Sequence, residues 1–313
     1  MIKSLGVRAS LAGIVAAAIA CGSGNRAPTT PTTPTSPALP AIPNDVSPTL
    51  RTMLLPLVAD IDGFRRENID LLPRNPQNAA VLQAKITMLQ NASLPADIIN
   101  GRRWIDRTLP GMGGRTVPIA LLFPLEPMRG ESALAVDTLS PVLGLLEGFF
   151  DTPFPTPAIR VWYGFKIGNT GGGGAIYSED RTTYESRTPA TRLPFDAILC
   201  HELGHSYIGN ESLNQFLELY NYNVARGASV DPQTWSFTRS WTPGAIANQD
   251  SAAVLDIYQT IGHDAMRRAY RAIYPLHPPY GSPLSQPVID AFLAQVPASV
   301  RAQVDAKLRR IMF

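Results

Sequence analysis

His201-Glu202-Leu203-Gly204-His205 is the segment of this chain whose residue types and spacing can do chemistry, and it uses two of only four histidines in 313 residues. On a helix, positions i and i+4 share one face. Two imidazoles at that spacing can hold one zinc ion. The glutamate after the first histidine projects beside the same ion, where it can accept a proton from a zinc-activated water. The chemistry this pattern serves is hydrolysis of a peptide bond, with Glu202 as general base. Two other uses are a zinc hydrolase acting on a non-peptide amide, and a lipid-anchored zinc scaffold or binding protein without turnover.

The flanking residues predict the elements that must position this pair. Pro194 suits a first helical turn, and Phe195 to Cys200 is mostly apolar, so the helix is expected to be buried, with Cys200 as a small core residue. Gly209 is the expected helix stop. A catalytic zinc needs three protein ligands and an open position. Ser212-Leu213-Asn214-Gln215 fits a capping box, which predicts a second, antiparallel helix from Leu213 and leaves Gly209-Asn210-Glu211 as the turn. His205 and His201 then lie roughly 6 and 12 Å from Gly209, and Glu218 roughly 9 Å past Ser212. Glu218 is level with the gap between the histidines and Glu211 is out at the turn. His201, His205 and Glu218 are therefore the expected ligands of one zinc per chain.

Helices are predicted over 50–66, 76–92 and 131–150, with a restart at Pro141. Residues 116–123 and 158–165 read as strands, and 175–179 as an extended piece. The glycine run 168–174 lacks the Gly-Lys-Ser/Thr ending of a phosphate loop; it reads as a connection that lets backbone pass close to a substrate or a neighbouring strand. After residue 245 the chain reads as helical, over 251–260, 265–274, 288–295 and 298–312. His263 is expected at a helix start and His277 in a rigid Pro-rich loop.

His201-Glu202-Leu203-Gly204-His205-Ser206-Tyr207-Ile208-Gly209-Asn210, then Phe216-Leu217-Glu218, resembles the gluzincin peptidases of the aminopeptidase N type. The likeness extends to Phe154–Val161 and to the segments around Ala252–Leu255 and Gly262–Met266, covering roughly 135–275. It implies an α+β, thermolysin-like catalytic domain: a small mixed or antiparallel sheet, a mainly helical half, and the active-site helix between them. Gly174-Ala175-Ile176-Tyr177-Ser178 stands where the family has Gly-Ala-Met-Glu-Asn, which implies substrate contacts from Gly174, Ala175 and Tyr177. The family's amine-binding glutamate falls on Tyr177, and its transition-state tyrosine on Asn248. Tyr280, in a Pro/Gly-rich loop, is a substitute candidate for the latter.

Composition bounds the rest. With 45% hydrophobic and 17% charged residues and a net charge of +2, the chain has enough apolar residues for a sizeable core and no basic stripe for nucleic acid. Lys3 and Arg8 precede a short apolar run, 9–20, ending at Cys21, which together read as a lipoprotein signal peptide (residues 1–21) with Cys21 as the lipidation site. Residues 22–48, rich in Pro and Thr, read as a disordered tether. Residues 49–313 are the expected catalytic domain, with a helical part at 49–110, a core at 111–275 and C-terminal helices at 276–313. The expected protein is exported and lipid-anchored to a bacterial membrane, facing the periplasm or cell surface, with peptides or proteins as substrates.

Overall fold

The computed structural model describes residues 39–187, 194–236 and 246–311, with the side chains of 246–249 excepted. In chain order the elements are α1 (Pro48–Leu54), α2 (Leu57–Leu71), α3 (Ala79–Leu89), α4 (Leu94–Asn100), β1 (Trp104–Pro110), β2 (Thr116–Leu122), α5 (Arg129–Phe150), β3 (Ile159–Tyr163), β4 (Thr170–Gly172) and β5 (Ala175–Ser178). Then follow α6 (Arg181–Arg187), α7 (Phe195–Gly204), α8 (Glu211–Val224), α9 (Ile246–Ile273), α10 (Gln286–Leu293) and α11 (Arg301–Leu308). The result is a mixed α+β fold around one small sheet.

The sheet order is β1-β2-β3-β5-β4. Its two outer pairs, β1 with β2 and β5 with β4, are antiparallel, and the inner pairings of β3 with β2 and β5 are parallel. Side chains alternate between its faces with period two. Leu109, Val117, Ile119, Leu121, Ile159, Val161, Tyr163 and Ile176 join the larger core with α5, α7, α8 and α9. Trp104, Ala120, Leu122 and Trp162 face the other way, into a second core with α1, α2 and α4, against which Ala175 and Tyr177 also pack. The sheet is thus covered by helices on both faces.

Buried polar groups pin the N-terminal helices to the strands. The Lys85 ammonium donates to the Gly164 carbonyl (2.9 Å) and to Asp180 Oδ2 (2.7 Å). Asp180 in turn accepts from the Thr183 backbone N–H and hydroxyl, both at 2.8 Å, holding the first turn of α6. Asn68 donates to the Phe165 carbonyl and accepts from the Ile167 N–H.

Several expectations are revised. α5 runs through Pro141 as one helix, because its buried stripe, from Ala135 through Leu139, Val142 and Leu143 to Leu146, continues across that residue. β1 lies in the stretch expected to be helical. It is an edge strand with only Trp104 and Leu109 buried, so its sequence shows no clean alternation. Predicted helices 251–260 and 265–274 are joined as α9 across Gly262, whose φ of 79° breaks the helical geometry. Residues 39–47, expected as the end of the tether, pack on the fold: Ile42 and Val46 lie against the second core, Asp45 pairs with Arg102, and the Ser47 N–H donates to Asp106. Cys21 and the rest of the signal and tether up to residue 38 lie outside the described residues.

Candidate metal centre

α7 carries the two histidines. Ala197, Leu199, Cys200 and Leu203 bury one side of it in the large core. Burial pushes the Cys200 thiol pKa upward, consistent with an inert packing residue. The helix ends at Gly204, earlier than Gly209 suggested; the His205 N–H closes the last turn on the His201 carbonyl. Gly204 lets α8 approach, since a Cβ there would lie 2.1 Å from Asn214 Oδ1, and Asn214 Nδ2 donates to the His201 carbonyl. Gly209 serves a close approach of another kind: a Cβ there would lie 2.7 Å from the Pro278 carbonyl, in the loop that carries Tyr280.

α8 begins at Glu211, and its N-cap is Asn210, whose side chain accepts from the Leu213 N–H at 3.1 Å. The predicted cap, Ser212, is the second residue of the helix and fully buried. This two-residue shift decides which carboxylate meets the histidines. His201 Nε2 and His205 Nε2 are 3.0 Å apart. Glu211 spans them, with Oε1 3.2 Å from His201 Nε2 and Oε2 3.4 Å from His205 Nε2.

Glu218, the expected ligand, stands on the other side of the ring: its Oε2 is 3.2 Å from His201 Nδ1, without the alignment of a good hydrogen bond. Rise along the axis puts Glu218 level with His201 without fixing which ring nitrogen its carboxylate faces. Among the described residues, His201, His205 and Glu211 are the group whose ligand atoms all lie within 4.8 Å of one another.

These donors fit a zinc ion. The His205 Nδ1 contacts the Ile208 carbonyl at 3.1 Å, an acceptor only, so Nδ1 carries the proton and Nε2 presents a lone pair. Glu218 at His201 Nδ1 favours the same tautomer there. Two imidazole nitrogens and a carboxylate converging on one point form a donor set that one metal cation could bridge. Tetrahedral zinc bonds of about 2.0–2.1 Å hold neighbouring ligand atoms about 3.3–3.4 Å apart, close to the separations seen. The electrostatics agree. Burial opposes charge on His201, yet Glu211 and Glu218 outweigh it and raise its pKa well above the usual value. Burial likewise opposes charge on Glu211, but both histidines pull its carboxyl far below the ordinary range.

The cluster opens into a cleft of about 350 Å³ lined by Asn169, Thr170, Gly171, His201, Glu202, His205, Gly209, Glu211 and Tyr280. Glu202 lies at its wall, 5% exposed, with its carboxyl pKa raised by burial. β4 borders the cleft because Gly171 touches α7: a Cβ there would lie 2.3 Å from the Glu202 carbonyl oxygen. The glycine run thus passes close to the site helix, where sequence suggested a substrate or a strand.

The expected substrate contacts lie elsewhere. Gly174 (φ 75°) is wedged against Thr156 and the Ala158 carbonyl, and Ala175 packs against the second core. Tyr177 stacks on Trp162 at 4.7 Å and tilts against Phe64, on the opposite face of the sheet from the larger core. β5 is one strand in from the edge, so β4 supplies the wall instead. Asn169 and Thr170 carried no signal in the sequence beyond their place in the glycine run. The substitute candidate Tyr280 is at the mouth, its ring 6.2 Å from that of His205. The side chain of Asn248 lies outside the described residues. His263 lies against Tyr220, whose hydroxyl is 3.3 Å from its Nε2, and His277 is exposed with a left-handed backbone; neither lines the cleft.

No family model matches this chain, and no curated protein is similar to it. Solved structures do resemble it. Aminopeptidase A of Legionella pneumophila, in complex with aspartic acid, aligns at TM-score 0.48 and 14% identity, over 67% of this chain and 28% of that one. The M1 zinc metallopeptidase of Deinococcus radiodurans aligns at TM-score 0.44 and 14% identity, over 67% and 52%. A mutant of that enzyme bound to a Tyr-Ser-Ala substrate gives 0.41 and 16% over the same shares. The first of these is thus an aminopeptidase and the other two are structures of one zinc metallopeptidase. The chain spans between about a quarter and a half of their lengths.

Proposed function

We propose that this protein is a zinc-dependent peptidase. The observation that carries the proposal is the convergence of two histidine Nε2 atoms and the Glu211 carboxylate within 3.0–3.4 Å of one another, with Glu202 on the same cleft. His201, His205 and Glu211 would hold the ion, with Glu218 behind His201 favouring the ring tautomer that ligation needs. When bound, zinc supplies Lewis acidity, polarising the substrate carbonyl and acidifying water. Glu202 accepts the proton of the attacking water and delivers it to the leaving amine. Its burial suits the task, since a carboxylate partly stripped of water is a stronger base. Tyr280, at the mouth with its ring 6.2 Å from that of His205, would donate a hydrogen bond to the carbonyl oxygen as charge develops on it.

The N-terminal reading belongs to the same proposal: export, lipidation at Cys21 and a tether that holds the catalytic unit off a bacterial membrane. Mass spectrometry of the mature N-terminus tests it, with a lipid-modified Cys21 expected and an unmodified terminus at another residue against it. For the activity, the experiment is digestion of a mixed peptide library by wild type and Glu202→Gln. Zinc-dependent cleavage lost in the variant is expected. Equal cleavage by both sinks the mechanism, and a wild type that binds zinc but cuts nothing returns the protein to the scaffold reading.

A further inference from the structure

We propose that the cleft takes an internal or N-acylated stretch of peptide rather than a chain whose free α-amine lies beside the bond to be cut. This rests on the peptidase reading above and names its substrate class. An ammonium group drawn out of water beside a scissile bond needs a carboxylate partner, because burying an unpaired charge costs several kcal/mol. The question is whether any carboxylate in this chain is free to serve.

None is. The stretches not described, 1–38, 188–193, 237–245 and 312–313, contain no Asp or Glu, so every acidic residue of the chain lies within the described residues. Of these, Glu202 and Glu211 line the cleft. Glu211 is turned onto the two Nε2 atoms, and on the peptidase reading Glu202 is taken up as the base. The acid beside the wall strand is Glu179, and it is sealed off. It is 0% exposed, and Arg187 clasps both its oxygens, Nε at 2.8 Å from Oε2 and the terminal nitrogen on Oε1.

The same pair fixes the cleft residue Asn169. Its Nδ2 donates to Glu179 Oε1 (3.2 Å), and its Oδ1 accepts from the Ser178 hydroxyl (2.9 Å) and the Glu179 N–H (3.2 Å). Asn169 cannot turn away to expose the carboxylate without losing all three bonds. Among the described residues, the rest of the wall is the Thr170 hydroxyl, the backbone of Gly171 and Gly209, and the Tyr280 phenol. Such neutral groups match peptide amides and offer an ammonium no counter-charge, and a cation at the histidine pair would repel a second one.

The test uses matched peptides that differ only in an acetylated or free N-terminus, read in two ways. Cleavage sites and rates are mapped by mass spectrometry with the zinc-loaded protein. Affinity is read by fluorescence anisotropy with Glu202→Gln and the same peptides labelled at the C-terminus. Cuts inside the acetylated peptides are expected, with affinity at least equal to that of the free-amine forms. Thr170→Glu, which puts a carboxylate in the wall, should shift the preference toward the free-amine form by roughly tenfold, about 1.4 kcal/mol. Stepwise release of single residues from free N-termini, or tighter binding of the free-amine form to Glu202→Gln, overturns the inference and leaves the peptidase reading standing. Binding that prefers the acetylated form with no cleavage by the wild type does the reverse. Peptides neither bound nor cut overturn both.

Discussion

Glu202→Gln removes the proton acceptor while leaving the three candidate ligands in place, so it should retain zinc and fold while losing turnover by about 10²- to 10⁴-fold. Steady-state rates beside metal content check this; unchanged turnover contradicts it. Glu218→Ala makes a different prediction. It removes a partner of the non-ligating ring nitrogen, so zinc should stay stoichiometric but bind about 10- to 100-fold more weakly, as measured by chelator competition. His201, Glu202 and His205 were legible in the sequence because helical periodicity alone brings them together. Glu211 was not. Asn210 caps a helix as well as Ser212 does, and the choice between them moves the first turn of α8 by two residues. Rise per residue also orders groups along an axis without saying which nitrogen of a ring they face.

Three glycines set the spacing of the elements around the centre: Gly171 between β4 and α7, Gly204 between α7 and α8, and Gly209 under the Tyr280 loop. Gly171→Ala places a methyl group 2.3 Å from the Glu202 carbonyl oxygen and must push β4 or α7 aside. A loss of about 1–3 kcal/mol in stability and a fall in turnover are expected, read by thermal unfolding and by rates. Gly63→Ala is the contrast: it lies within α2, a Cβ there meets nothing within 4 Å, and a gain of about 0.5–1 kcal/mol is expected. The apolar runs of β2 and β3 and the long apolar stripe of α5 announced themselves in the sequence. β1 and β4 did not, since one is an edge strand with only Trp104 and Leu109 buried and the other has glycine at two of its three positions, and both are defined by pairing with a neighbour.

Across the whole molecule, the two helical layers are tied through the sheet by the buried Lys85–Asp180 pair. Burial works against the Asp180 charge, but Lys85 and the bonds from Thr183 outweigh it and hold the carboxyl below its usual 3.8. A depressed folded-state pKa contributes stability that is present above pH 3.8 and is lost as pH falls through the folded value. Lys85→Met leaves that carboxylate buried with its Thr183 bonds but without a counter-charge, and should cost about 3–5 kcal/mol at neutral pH. Denaturant unfolding of the two proteins should converge as the pH drops below that range; a gap that widens toward acid contradicts the assignment. Contacts of residues 39–47 with the second core make a related prediction. A protein of residues 39–313 should melt higher than one of 49–313, which also lacks the Ser47 cap of α1, by at least about 2–4 °C. The sequence placed that boundary at 48 because Pro and Thr density there resembles a tether, and composition does not reveal that Ile42 and Val46 find an apolar surface. The central claim is that two histidines and Glu211 hold one zinc ion, and elemental analysis of purified Glu211→Ala, beside wild type and Glu218→Ala, tests it most directly. One zinc per chain in the wild type and in Glu218→Ala, and none in Glu211→Ala, is the expected result; full zinc retained by Glu211→Ala and lost from Glu218→Ala would contradict it.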